Sequence, residues 1–144
     1  MTSSGVIRSA GGSSEQDILR TLIDLAAADE GIAVLWLYGS RAKGSAGPES
    51  DYDLAVAFTQ PWTDPLERRL RPELLAQAWQ EALSLPEAML SVVDINLAPV
   101  PLAATIVRTG RVLQVNDGLR LAREENRATS MWELDYVYHQ QHFG

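Results

Sequence analysis

The feature of this sequence that most limits the possible folds is a seven-residue run from Ile32 to Tyr38. As an extended strand, this run is apolar on both faces. A strand that is apolar on both sides belongs in the middle of a sheet, with other elements covering each face. The run ends at Gly39 and Ser40, and apolar alternation resumes after a further ten residues. We therefore predict a central strand, a glycine-containing loop, and a second strand over residues 51–58.

Two carboxylates, Asp51 and Asp53, open that second strand. Residues two apart on a strand point to the same face, so the two charges should lie side by side. At a separation of about 4 Å their repulsion costs roughly 1 kcal/mol in water and roughly 4 kcal/mol at an effective dielectric constant near 20. A divalent cation with a preference for oxygen ligands, such as Mg²⁺, would relieve it. Beside a Gly-Ser turn, such a pair indicates the handling of a nucleoside triphosphate.

The remaining pattern alternates helices with short strands. Helical spacing of apolar residues predicts a first helix over residues 14–29, and a short helical turn is compatible with residues 40–43. Pro72 is expected to divide the next helical region into a short piece and a longer helix over residues 72–83, packed through Leu74, Leu75, Ala78 and Trp79. The later predictions are a strand over residues 91–97 carrying Asp94, a helix from Pro99 to Gly110, a strand over 111–115 and a C-terminal helix over about 119–141.

Length and charge narrow the class of protein. With 144 residues, we predict a disordered segment over residues 1–12 and one domain over residues 13–144. A net charge of −7 argues against a domain that grips nucleic acid directly. The sequence has no cysteine and no long apolar run, so we expect a cytoplasmic protein without a membrane span.

Three segments together resemble a known family. They are Leu-Tyr-Gly-Ser-Arg-Ala-Lys-Gly at residues 37–44, Ser-Asp-Tyr-Asp-Leu at residues 50–54, and Val-Asp-Ile at residues 93–95. The chain is similar, over roughly residues 18–115, to the minimal nucleotidyltransferases (MNT) of the DNA polymerase β-like superfamily. The resemblance implies an α+β fold, with a mixed sheet flanked by helices and a C-terminal helix. It also implies two Mg²⁺ ions and transfer of a nucleoside monophosphate from a triphosphate such as ATP.

The resemblance also assigns roles near the loop. Gly39 would let the backbone approach the phosphates, and the Ser40 hydroxyl would bind phosphate oxygens. Arg41 and Lys43 would neutralise the triphosphate, although solvated loop charges are an equal interpretation of these two residues.

Three carboxylates would complete the site by the same resemblance. Asp51 and Asp53 would hold the metals, and Asp94 would join them and take the proton from the attacking hydroxyl. From the residues alone, a lone aspartate such as Asp94 could equally cap a loop or pair with an arginine.

Proteins resembling this chain are often antitoxins whose partners are small helical HEPN ribonuclease toxins. The resemblance implies transfer of AMP from ATP to a tyrosine hydroxyl of such a toxin. The chain itself lacks the toxin's arginine-histidine spacing, because no arginine lies four to six residues before His139 or His142. Trp132, Tyr136 and Tyr138 on the terminal helix fit either a core or a partner surface.

Other functions remain open at this point. One is a nucleotidyltransferase with a small-molecule acceptor, which normally needs a further domain for the acceptor pocket. Another is an antitoxin that acts by binding alone, although all three carboxylates count against it. Templated polymerisation conflicts with the small size and the acidic charge.

Overall fold

The computed structural model describes residues 14–47, 50–86 and 89–143, with side chains as far as residue 131. The expectation of disorder over residues 1–12 and the aromatic side chains of the terminal helix lie outside this description. The elements in chain order are α1 Glu15–Ala27, β1 Ile32–Tyr38, α2 Ser40–Lys43, β2 Tyr52–Phe58, α3 Pro65–Leu83, β3 Leu90–Asp94, α4 Val100–Thr109, β4 Arg111–Val115 and α5 Gly118–Phe143.

One four-stranded mixed sheet organises the fold, in the order β3-β2-β1-β4. β1 runs antiparallel to both β2 and β4, whereas β2 and β3 are parallel. The doubly apolar β1 thus has a strand on each side, and residues 32–37 are all buried. The predicted α+β fold and the central position of β1 are confirmed.

Each face of the sheet has its own core. Leu35, Leu54 and Val56 contact one cluster, which includes residues of α1 and α3. On the opposite face, Ala55 and Ala57 pack in a second cluster with Trp36, Ile95, Ala103 and Ile106. Both alanines are fully buried, because their small side chains let α4 lie close to the sheet.

Helix α3 is continuous, so the predicted break at Pro72 is wrong. A proline inside a helix loses one backbone hydrogen bond and crowds the preceding turn, at a cost of about 3 kcal/mol. Here its ring is buried on the same side as Ala76 and Trp79, and this burial offsets part of that cost. Leu74 and Ala78, which were expected to pack, are exposed instead.

Strand β3 ends three residues earlier than predicted. The backbone N–H of Asn96 donates to Asp94 Oδ1 at 2.8 Å, and the N–H groups of Leu97 and Ala98 donate to the Asp94 carbonyl. Asp94 therefore begins a turn, because its own side chain competes with strand pairing. Among the described residues, no helix combines the length and apolar character that crossing a membrane requires.

Candidate functional site

Gly39 connects β1 to α2 in a conformation that only glycine adopts easily, with φ of +77°. A Cβ atom placed there would overlap Asp53 Oδ2. Two constraints therefore coincide at this position, one from the backbone angle and one from the adjacent carboxylate. The predicted turn is present, and it lies against Asp53.

The register of β1 and β2 produces this contact. Tyr38 is paired with Asp53 across the two antiparallel strands, so the residue after Tyr38 approaches the carboxylate. Asp51 lies just before β2, exposed to solvent, while Asp53 is only partly exposed. The pair occupies an open edge of the sheet, where the start of β2 meets the end of β1.

The two carboxylates repel each other. Burial, and then the charge of Asp51, raises the pKa of Asp53 above its ordinary value. Burial and the charge of Asp53 likewise raise the pKa of Tyr38. Negative charge at this point is therefore incompletely balanced by the protein.

This charge imbalance fits a divalent cation. Mg²⁺ is usually bound by one or two carboxylates, with water and substrate phosphates as the other ligands. Asp51 and Asp53 match that donor set, and the described residues contain no cluster of three acidic, histidine or cysteine ligands. The residues present thus fit a cation that is shared between protein and nucleotide, rather than one enclosed by protein alone.

Ser40 and Lys43 lie on α2, next to the pair. Ser40 is partly exposed and Lys43 is exposed. The Ser40 carbonyl accepts from the backbone N–H of Ser45 at 3.1 Å, which closes the turn after α2. Among the described residues, no hydrogen bond uses the Ser40 hydroxyl, so it is available to a ligand at this edge.

Arg41 has a different position from the one expected of a phosphate ligand. Its side chain is buried, and its Nε and Nη2 donate to the Ser50 carbonyl at 3.0 and 2.7 Å. The guanidinium also lies 3.9 Å from the centre of the Tyr52 ring and 3.4 Å from Glu15 Oε1. Arg41 thus holds the segment that leads into Asp51, and it lies on the face of the sheet opposite Asp53.

Asp94 is not brought to the pair. In the parallel register of β2 and β3, Asp94 pairs with Val56. Asp53 pairs with Ser91, which lies three residues before Asp94 on β3. At about 3.3 Å per residue this separation is ~10 Å along the strand, and the odd spacing turns the side chain to the other face. Asp94 is 8% exposed and forms the turn with Asn96 described above. Its geometry matches the loop-capping alternative, so we do not retain it as a metal ligand.

Ser91 occupies the position beside Asp53 that was expected for a third carboxylate. Neighbouring residues of adjacent strands share a face, and Ser91 is exposed. The sequence pattern did not indicate Ser91, because Asp94 is the only aspartate of the third strand and was therefore assigned as the third carboxylate. The register of a parallel pair cannot be read from the residues of one strand.

Comparisons with known proteins agree with this architecture. The family model described as "Polymerase beta, Nucleotidyltransferase" matches residues 20–118. No curated protein matches the chain by sequence.

Several solved structures share the fold. A toxin–antitoxin structure with AMP-PNP is 20% identical with a TM-score of 0.64, covering 89% of this chain and 94% of that one. A complex of a tri-AMPylated Shewanella oneidensis HEPN toxin with MNT antitoxin is 20% identical with a TM-score of 0.62, covering 89% of this chain and 94% of that one. The MntA–HepT toxin–antitoxin structure is also 20% identical, with a TM-score of 0.62 and coverage of 88% and 94%.

The contact between Gly39 and Asp53 can be tested with a matched glycine. Gly39→Ala and Gly44→Ala both place a side chain at a positive φ, which costs about 1–2 kcal/mol of stability. Only at Gly39 does the new Cβ meet a carboxylate, whereas nothing lies within 4 Å at Gly44. Calorimetry should show Mg²⁺–ATP binding weakened by about tenfold or more in Gly39→Ala and little changed in Gly44→Ala. Equal affinities for the two variants would contradict the assignment.

Asp53→Asn should stabilise the metal-free protein at neutral pH. The pKa of Asp53 is raised on folding, so its ionisation opposes folding above its ordinary value of 3.8. The variant's advantage should be absent below that pH, grow as pH rises, and reach about 1 kcal/mol at most. Thermal melts in EDTA between pH 3 and 8 measure it, with exposed Asp24→Asn as the control. An advantage that grows towards acid pH would show that the sign is wrong.

Ser91→Asp should create a third carboxylate beside Asp53. In EDTA the added charge should lower the melting temperature, and Mn²⁺ should restore it because the cation gains a ligand. We expect Mn²⁺ affinity to rise by roughly tenfold, or ~1.4 kcal/mol. Gln77→Glu adds the same charge on the exposed surface of α3 and serves as the control. Equal Mn²⁺ affinity in the two variants would mean that residue 91 does not face the metal position.

Proposed function

The chain belongs to the polymerase beta nucleotidyltransferase family, and we propose that it transfers AMP from ATP to a tyrosine hydroxyl of a HEPN ribonuclease toxin. The observation that carries this proposal is the Gly39-Ser40 turn set against the Asp51–Asp53 pair at an open edge of the sheet. AMPylation of that tyrosine would inactivate the toxin, so the chain would act as its antitoxin. We place this activity in the cytoplasm, where ATP is available.

The openness of the site favours a large acceptor. A cavity of about 970 Å³ lies on the opposite face of the sheet, beside Arg41 and Tyr52, and another of about 450 Å³ lies at the far end of the strands. Neither is lined by Gly39, Asp51 or Asp53. Small-molecule acceptors usually bind in concave pockets, whereas a tyrosine on a protein surface can approach an exposed edge.

The structural relatives support the same acceptor class. One of them contains AMP-PNP with a toxin–antitoxin pair, and another contains an AMPylated HEPN toxin bound to its MNT antitoxin. The acidic balance of this chain, at −7, is compatible with binding a ribonuclease whose RNA-binding surface is basic.

Each residue of the site then has a task. Asp51 and Asp53 would hold two Mg²⁺ ions together with the triphosphate, and the Ser40 hydroxyl would donate to a phosphate oxygen. When bound, such cations would neutralise charge on both the attacking and the leaving oxygens. Gly39 leaves space for the carboxylate, and Arg41 positions the segment before Asp51.

The chemistry is an in-line displacement at the α-phosphorus. The tyrosine oxygen forms a bond to that phosphorus, the bond to the bridging oxygen of the β-phosphate breaks, and pyrophosphate leaves. The phenol proton passes to water at the open edge. Asp94 has no part in this step, because it lies three residues along β3 from the level of Asp53.

Intact-mass spectrometry of a purified HEPN toxin tests the proposal. Incubation with the chain, ATP and Mg²⁺ should add whole AMP units to the toxin, and fragmentation should locate them on tyrosine. The double variant Asp51→Asn, Asp53→Asn should lower the rate by at least about 10³-fold, since it removes both proposed metal ligands. Asp24→Asn is the matched surface control.

Two other outcomes would replace the proposal. A stable complex without any mass increase would indicate an antitoxin that acts by binding alone. Neither a complex nor a mass increase would indicate a different acceptor, to be sought among small molecules. Full transfer by the double variant would show that the metal assignment is wrong.

A further inference from the structure

A cationic cavity lies at the end of the sheet opposite the Asp51–Asp53 pair. Its volume is about 450 Å³, and four arginines, Arg68, Arg120, Arg123 and Arg127, line it. The whole chain has 12 basic side chains and a net charge of −7, so a third of its cations gather at one cavity. Asp53 and Phe58 are five residues apart on β2, which separates this cavity from the carboxylate pair by roughly 16 Å.

Arg120 and Arg127 form part of the cavity wall and are already bonded within the protein. Arg120 Nε and Arg127 Nη2 contact the buried carboxylate of Glu124 at 2.9 and 2.7 Å. Arg120 also donates to the Phe58 carbonyl at 2.9 Å and to the side chain of Asn96. These bonds fix α5 to the end of β2. They also hold the pKa of Glu124 below its ordinary value despite burial, so Glu124 remains charged.

The other two arginines are available. Arg123 is exposed, and no hydrogen bond or ion pair joins it to another described residue. The Nε of Arg68 is buried and has no acceptor among the described residues. A buried donor without an acceptor is destabilising and is uncommon in folded proteins. Arg68 comes from α3 and Arg123 from α5, so the free donors belong to two different walls.

The charges of the lining leave an excess of cations. Four guanidinium groups face two carboxylates, those of Asp94 and Glu124, which leaves two formal positive charges. Phe58, Pro61 and Leu97 add an apolar side to the cavity. Guanidinium groups match the geometry of phosphate oxygens, and a doubly charged phosphate monoester balances the excess.

We propose that this cavity is a second ligand site, separate from the transfer site, that binds the phosphate group of a small phosphate-bearing molecule. Arg68 and Arg123 contact the phosphate, and the apolar side contacts the organic part. The volume is in the range of about 300–1,000 Å³ that is common for small-molecule sites. This inference does not depend on the proposed transfer reaction.

Calorimetric titration in EDTA tests the site with inorganic phosphate and with AMP as the probes. Without metal, the Asp51–Asp53 pair repels anions, so the measured binding reports the arginine cavity. The double variant Arg68→Gln, Arg123→Gln should lower phosphate affinity by at least about tenfold, since it removes both charged donors that are proposed to contact the phosphate. Arg20→Gln, an exposed arginine on α1, removes the same kind of charge and should leave the affinity unchanged.

Several results would overturn the site. These are no phosphate binding by the wild type, equal affinity in the double variant, or succinate bound as tightly as phosphate. Tighter binding of AMP than of phosphate would support the site and identify a nucleotide as the source of the group. Equal affinities would support recognition of the phosphate alone. Equal melting temperatures of the variants establish that folding is retained, and the single variant Arg123→Gln replaces the double one if they differ.

Discussion

The antiparallel pairing of β1 with β2 governs the arrangement of the site. It sets Tyr38 opposite Asp53, so that the next residue must be a glycine both for its backbone angle and for the space it leaves. A register shift of one residue would turn Asp53 towards the opposite core. The pairing is therefore held by burial of both strands, and the geometry of the carboxylates depends on packing far from the solvent edge where they lie.

The segment between the two strands is also restrained from inside the protein. The Arg41 guanidinium lies over the Tyr52 ring and donates to the Ser50 carbonyl, immediately before Asp51. The charged side chain of Arg41 thus packs in the protein interior and does not face the ligand. Because an arginine carries five donors in a fixed plane, one side chain can fix the backbone direction of the loop and the ring beneath it together.

The sequence predicted the strands, the turn and the carboxylate pair because each is a local pattern. Apolar residues on both faces of β1, and the spacing of Asp51 and Asp53, need no knowledge of the rest of the chain. Ser91 and Asp94 could not be ranked in this way, since the register between β2 and β3 depends on tertiary packing. The helix break predicted at Pro72 is wrong for a similar reason. Burial of the proline ring in the core offsets the local tendency of proline to end a helix.

The separation of charge along β2 has a consequence for encounters with other molecules. Asp51 and Asp53 lie where the strand begins, and four arginines line the cavity where it ends, so sites for opposite charges lie at its two ends. Each site attracts ions of the opposite charge from the surrounding solution before any contact forms. Cations are therefore enriched near one end of β2 and anions near the other. This enrichment weakens as salt shortens the Debye length, which is about 8 Å at physiological ionic strength.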